Sequence, residues 1–264
     1  MHDSVERFTS RVENYVRYRP HYPREIIRTL ASECGLTAES RIADIGSGPG
    51  NLAESFLENG NVVYAVEPNP AMREAAEQLL AEYPGFRSVA GHAEATPLPD
   101  ASVDFVTAGQ AFHWFDRDKA RAEFARILKP GGWVVIVWNA RETESTPIMA
   151  AYEALVRRYS SEYQKVDHRL ITPETLEQFF GPQGCRKKAF ENFQEFDYAA
   201  LEGRLQGIPS VAFSTYLAPE YFRESLTRHT SLRPVPPRVI YGKGVRPKMR
   251  SRIWRAREIG RFET

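Results

Sequence analysis

Five short runs rich in Val, Ile and aromatic residues recur between residues 40 and 139: SRIADIG, NVVYAVE, FRSVAG, VDFVTAG and GWVVIVWN. Most are separated by stretches of helical periodicity, so strand and helix alternate along the chain. Strands this apolar need cover on both faces, and helical crossovers supply that cover in a parallel sheet. The helix candidates PREIIRTLASECG, GNLAESFLENG, NPAMREAAEQLLAEYPG and RDKARAEFARILKPGG each close on Gly or Pro, as a helix stop should. The pattern predicts an α/β fold, a doubly wound Rossmann-like and mostly parallel sheet over residues 38–140. Its ligand belongs at the carboxyl ends of the strands.

After Asn139 the pattern changes. PIMAAYEALVRRYS and TPETLEQFFG read as helices, and KKAFENFQEFDY alternates as a strand does. Helices around 147–161 and 198–230 are expected to form a helical cap over the crevice. AFENFQEF and RVIYG are expected as antiparallel edge strands. From Arg228 to Thr264 the only acids are Glu258 and Glu263. This proline-interrupted basic stretch predicts a final strand that is short or absent and a solvated, partly disordered tail. The expected divisions are an N-terminal helical lid (1–37), the core (38–140), cap helices and edge strands of the same domain (141–240), and the basic tail (241–264).

Composition excludes several classes. A net charge of +1 gives no global pull toward nucleic acid or an anionic membrane. Two cysteines, Cys34 and Cys185, are too few for a disulfide framework or a thiolate metal site, and no metal is expected. No stretch approaches the roughly 18 to 20 apolar residues that span a bilayer, and MHDSVERFTS carries acids and no apolar core of a signal peptide. The expectation is a soluble, cytoplasmic protein.

Within the core, RIADIGSGPG places Gly46, Gly48 and Gly50, with Ser47 among them, where the first strand turns into a helix. Position 51 is Asn, so the third glycine of the dinucleotide fingerprint is missing. That turn alone fits a cofactor loop or an ordinary tight turn equally. Glu67 ends the second strand, where a carboxylate can accept from both hydroxyls of a ribose. Asp44 beside the turn repels a pyrophosphate and favours a ligand bearing an ammonium group. S-adenosyl-L-methionine (SAM) has a ribose, a sulfonium and an amino-acid tail, and no phosphate. A buried acid holding turn amides is the structural alternative for Asp44, and both roles can coexist.

ADIGSGPG, VVYAVEPNPAMREAA and AGHAEATPLPDASVDFVTAGQAFHWFD resemble the class I SAM-dependent methyltransferases. The chain is most similar to the type 11 small-molecule branch, near the trans-aconitate methyltransferase-like proteins, which carry His-Trp after the fourth strand. FTSRVENYVRYRPHYP, residues 8–23, resembles the N-terminal segment of that branch. The resemblance implies that Asp44, Gly46, Ser47, Gly48 and Gly50 bind the methionyl part and Glu67 the ribose. It places Pro68 and Asn69 after that acid and Met72 near the adenine. Relatives contact adenine through an acid and a following small residue in the loop after the third strand. Here those positions read His92 and Ala93, with Glu94 next, so the acceptor for the adenine amine departs from the pattern.

Methyl transfer from a sulfonium is an in-line displacement of an activated group, so the chain need mainly align the acceptor and balance charge. Gln110, Phe112, His113 and Trp114 follow the fourth strand and reach the crevice edge, where Gln110, His113 and Trp114 are the candidates for the chemistry and Gln110 is assigned to the cofactor as well. His113 is a candidate base, an orienting donor or a support for its loop. Trp114 and Phe115 are candidate walls whose rings attract a sulfonium. Tyr15, Tyr18, Arg19, His21 and Tyr22 are candidates for a lid, with Tyr15 and Arg19 assigned to the cofactor and Arg19 able to pair an acidic acceptor. The function expected is SAM-dependent methylation of a small molecule, with O-methylation of a carboxylate or hydroxyl preferred. The alternatives are a nucleic-acid methyltransferase, a non-catalytic SAM-binding regulator and, last, an NAD(P)-dependent oxidoreductase.

Overall fold

The computed structural model describes residues 21–141, 143, 147–159, 171–181, 184–193 and 248–257. Its elements run α1 (Glu25–Cys34), β1 (Arg41–Ile45), α2 (Asn51–Glu58), β2 (Val62–Val66), α3 (Pro70–Leu79), β3 (Phe86–Val89), β4 (Val103–Gly109), a 3-10 turn (Phe112–Trp114), α4 (Arg117–Ile127), β5 (Leu128–Arg141), α5 (Pro147–Tyr159), α6 (Pro173–Phe180), β6 (Arg186–Phe193) and β7 (Lys248–Arg257). The sheet order is β3-β2-β1-β4-β5-β7-β6. The first five strands are parallel, and β7 is antiparallel to both β5 and β6. The expected doubly wound sheet is what the chain forms.

Alternation along the strands assigns each face. Ile42, Val63, Phe105, Val135 and Val137 pack with Ile26 and Leu30 of α1 and Leu52 and Phe56 of α2. Ala43, Ile45, Val106, Ile136 and Trp138 pack on the other side with Phe124 and Ile127 of α4 and Phe179 and Phe180 of α6. Both faces are buried, which is why these strands read as nearly continuous apolar runs.

Of the helices expected around 147–161 and in TPETLEQFFG, the described parts are α5 (Pro147–Tyr159) and α6 (Pro173–Phe180), and the first part of KKAFENFQEFDY lies in β6. The expectations for RVIYG and for helices over 198–230 lie outside the described residues. The reading of the basic tail is corrected. Lys248–Arg257 is a ten-residue strand inserted between β5 and β6, in register from Trp133↔Arg257 to Arg141↔Met249. KMRSRIWRAR contains neither Pro nor Gly, so it can pair, and its N–H and C=O groups complete the edges of two strands. Charge density is a poor guide to backbone pairing. The antiparallel edge strand is therefore β6, with β7 inside it.

One buried side chain fixes the roots of the two strands that carry the site. Asn61, 1% exposed, donates from Nδ2 to the carbonyls of Thr37 (2.7 Å) and Ser40 (2.9 Å), while its Oδ1 accepts from Asn59. This ties the segment entering β1 to that entering β2, whose pairing sets Asp44 opposite Ala65. Asn61→Ala leaves two carbonyls without their donor and should cost about 2 to 3 kcal/mol in urea unfolding.

Candidate active site

β1 pairs in parallel with β2 on one side and β4 on the other, so chain connections leave it in opposite directions and a crevice opens at its carboxyl end. The glycine turn lies there. The amides of Gly46 and Ser47 donate to the Val66 carbonyl at 2.8 and 3.2 Å, which hooks the turn onto β2. Gly46 has φ +66°, and a side chain there would come 2.6 Å from the Ala111 Cβ in the loop after β4. Gly48 also has positive φ, +56°, yet a Cβ there would meet nothing within 4 Å. Its backbone faces open space, the geometry a ligand needs for close approach.

Glu67 braces the turn from β2. Its Oε2 accepts from the Gly48 amide (2.9 Å) and its Oε1 from the Asn69 amide (2.8 Å). Asn69 caps α3 through Ala71 and Met72, and the Arg73 guanidinium reaches the carbonyls of Glu67 and Pro68. Burial pushes the Glu67 carboxyl above its ordinary value, against the two amides and Arg73 that favour its charge. Each carboxylate oxygen keeps a lone pair for a further donor. Met72 is buried beneath α3.

Asp44 is fully buried. Its Oδ1 accepts from the Thr107 hydroxyl of β4 at 2.9 Å, while its Oδ2 and the nearby Ser47 Oγ have no hydrogen-bond partner. Burial pushes this carboxyl up to about 7, opposed by Thr107 and the Ala53 amide and reinforced by the negative charge of Glu67. An orphaned buried oxygen of this kind fits a ligand that brings its own donors. The cationic ammonium of SAM satisfies that requirement, and a pyrophosphate does not.

The loop after β3 is anchored by residues the sequence reading did not single out. Glu123 Oε1 accepts from the Thr96 amide and hydroxyl at 2.7 and 2.6 Å, and Arg126 clamps Glu123, Asp100 and the Thr96 carbonyl together. Their spacing of three on an expected helix was the available signal, and it reads as an ordinary surface pair. Within the loop His92 is exposed and bridges Ala95, and Ala93 is buried. Glu94 Oε1 accepts from the Asp116 amide at 2.8 Å, which ties the loop to the start of α4, and its buried Oε2 has no partner.

Past β4, Gln110 takes φ +61° and donates from Nε2 to the Asn139 carbonyl at 3.1 Å. His113 and Trp114 are half-buried with ring centroids 4.8 Å apart. Phe112 was expected at the crevice edge and is instead core. It is fully buried and packs edge-on against Phe179 (4.7 Å), Phe115 and Trp138. Phe112 opens the 3-10 turn, in which successive side chains leave about 120° apart, so Phe112 goes inward where His113 does not. Tyr15, Tyr18 and Arg19 lie outside the described residues. Tyr22 is buried beside Gly109, where a side chain would come 2.8 Å from its Oη, and exposed His21 pairs with Glu54 at 3.2 Å.

Residues 43–136 match the family described as the methyltransferase domain. This segment spans β1 to most of β5 and contains the glycine turn, Glu67 and the loops after β3 and β4. The domain implies SAM as cofactor, in agreement with the orphaned Asp44 oxygen. An uncharacterized methyltransferase of Mycobacterium tuberculosis is 42% identical over 135 residues, covering 51% of this chain and 53% of that protein. An uncharacterized methyltransferase of Schizosaccharomyces pombe is 34% identical over 136 residues, with the same coverage. The chain thus spans about half the length of the curated relatives it matches. A solved structure from Anaeromyxobacter dehalogenans superposes with TM-score 0.66 at 23% identity, covering 91% of this chain and 98% of that one, and supports the fold.

Asp44 makes cofactor affinity pH-dependent. Its folded value of about 7 lies above the ordinary carboxylate range. The native state therefore holds a proton that the unfolded chain releases, and stability falls as pH rises from about 4 to 7. An ammonium beside Asp44 favours the ionised form, so affinity for SAM should weaken as pH falls from 8 to 6, by up to about tenfold per unit below 7. Calorimetric titration across that range should show the slope in the wild type and its absence in Asp44→Asn.

Proposed function

We propose that this chain is a SAM-dependent methyltransferase acting on a small molecule, methylating oxygen of a carboxylate or hydroxyl in preference to carbon or nitrogen. The observation that carries the cofactor half is the buried, orphaned Asp44 Oδ2 beside a glycine turn that Glu67 holds open. It calls for an ammonium and a ribose without a pyrophosphate between them. The acceptor half rests on the likeness of AGQAFHWFD to the trans-aconitate methyltransferase-like branch.

When bound, SAM supplies a methyl group already activated on a sulfonium. Asp44 holds the ammonium, Glu67 the ribose hydroxyls, and Gly48 lets the methionyl chain lie against the backbone. The Ala93 amide meets the adenine ring, with His92 replacing the usual acid at the exocyclic amine. Trp114 forms a wall, and His113 orients the acceptor or takes its proton. The lid assigned to residues 1–37, with Tyr15 and Arg19, and the cap assigned to 141–240 exclude water from the crevice. Among the described residues, no helix is long and apolar enough to cross a membrane, and we place the enzyme in the cytoplasm.

Calorimetry with SAM, S-adenosylhomocysteine and NADH tests the assignment. SAM and its demethylated product should bind saturably and NADH should not. Asp44→Ala should raise the SAM dissociation constant about tenfold or more, the scale of a hydrogen bond to a charged group. Glu67→Gln, which keeps the shape of the brace, should do likewise. Saturable NADH binding without SAM binding refutes the proposal, and SAM binding with no turnover against any acceptor marks a regulator instead.

A further inference from the structure

Glu94 lies in the loop after β3 and Asp116 at the start of α4, 22 positions later, and the Asp116 amide donates to Glu94 Oε1 at 2.8 Å. The other oxygen, Oε2, is buried and has no hydrogen-bond partner. Among the described residues, the hydrogen bonding of this carboxylate goes to a single backbone amide. An acid on a loop normally stays in water, so one half-buried against an amide calls for a reason.

The two ends of this bond are not equally fixed. On the loop side, Ala93 is buried in the core with Val66 and Leu98, and Thr96 is gripped by Glu123 and Arg126. Glu94 stands between those anchors. On the other side, Phe112 is locked in the core, and His113, Trp114 and Phe115 lead from it to Asp116. The Asp116 side chain caps α4 weakly, accepting from the Lys119 amide at 3.4 Å, beyond the usual range for N–H···O. The bond from Glu94 is the shorter one, and it puts negative charge at a helix N-terminus, where the dipole favours it. Glu94 is therefore the firmer hold on the point where the turn becomes a helix. That turn abuts the glycine turn: a Cβ on Gly46 would come 2.6 Å from the Ala111 Cβ and 3.5 Å from the Phe115 ring. His113 and Trp114 fall between those two contacts in sequence.

We infer that Glu94 is a positioning residue for methyl transfer: by holding the Asp116 amide it sets the turn bearing His113 and Trp114 against the cofactor loop, and it touches neither SAM nor the acceptor. This rests on the proposed function and adds a residue to it, whichever acceptor is methylated. In-line displacement is intolerant of misalignment, and an error of about 1 Å costs on the order of 100-fold in rate. A turn released at one end aligns the acceptor poorly. SAM still binds, because Asp44 and Glu67 are held by bonds that do not involve Glu94.

The test uses the full chain, methyl-tritiated SAM, and panels of carboxylic acids, of phenols and alcohols, and of amines, from which the acceptor that the wild type methylates is taken. Glu94→Ala should lower kcat about tenfold or more and leave the SAM dissociation constant within about twofold. Glu94→Gln keeps an accepting oxygen and should restore most of kcat. Asp116→Ala removes the weak cap and keeps the amide, so it should retain kcat. Asp116→Pro removes the amide at φ −69°, an angle proline adopts, and should lose as much as Glu94→Ala. Combining Glu94→Ala with Asp116→Pro should be no worse than either alone, since both break one bond. If Glu94→Ala does not fold, Asp116→Pro against Asp116→Ala decides the same question. The 19F resonance of 5-fluorotryptophan at position 114, identified by its loss in Trp114→Phe, should move in Glu94→Ala and stay in Glu94→Gln. Wild-type kcat in Glu94→Ala, a kcat in Glu94→Gln as low as in Glu94→Ala, weakened SAM binding at unchanged kcat, or additive losses in the double variant would each overturn the inference. So would SAM binding without turnover of any acceptor, which leaves the cofactor reading standing. Failure to bind SAM at all refutes the function on which the inference rests.

Discussion

The structure depends on β1 having parallel partners on both edges. A strand with β2 on one side and β4 on the other sends its neighbours' connections to opposite faces, and the space between them cannot be filled by either helix layer. Among the described residues, the candidate site is arranged around that gap. The turn after β1 must be compact enough for Ala111 to approach Gly46, yet open at Gly48. Few sequences satisfy both demands, and RIADIGSGPG does so with glycines in two different roles.

The same gap explains why carboxyl groups tolerate burial here. Burial raises the cost of ionising both Asp44 and Glu67, the charge of Glu67 adds to it at Asp44, and neither carboxyl has a described cation as its direct hydrogen-bond partner. Glu67 is held by two amides, and Asp44 by the Thr107 hydroxyl with a further contribution from the Ala53 amide. A fold that retained such an arrangement without a ligand would carry a standing penalty. A cationic ligand converts the penalty into affinity, which is the logic of a site preorganised for charge.

Much of this was legible in the sequence because it depends on short range. The apolar runs locate the strands, since burial on both faces removes polar alternation, and Asp44, the glycines and Glu67 follow from their places at strand ends. The residues that sequence reading missed act over long separations. Glu123 grips Thr96 across 27 positions and Asn192 reaches His21 across 171, and neither distance leaves a local pattern. Phe112 was misplaced because a 3-10 turn sends successive side chains in different directions, which the run of aromatic residues does not reveal. β7 was missed because its basic side chains concealed an uninterrupted stretch able to pair.

The position of β7 has a consequence for how the chain becomes a sheet. Among the described strands β6 pairs its backbone with β7 alone, and β7 begins 55 positions after the end of β6. During synthesis the first five strands can associate as they emerge, whereas β5 and β6 lack the strand that lies between them in the described sheet until Lys248–Arg257 arrives. Such an edge invites intermolecular pairing. The positive charge along KMRSRIWRAR then acts before the native state exists: strands of like charge from two nascent chains repel, so that β7 is directed to its own sheet instead of a neighbour's.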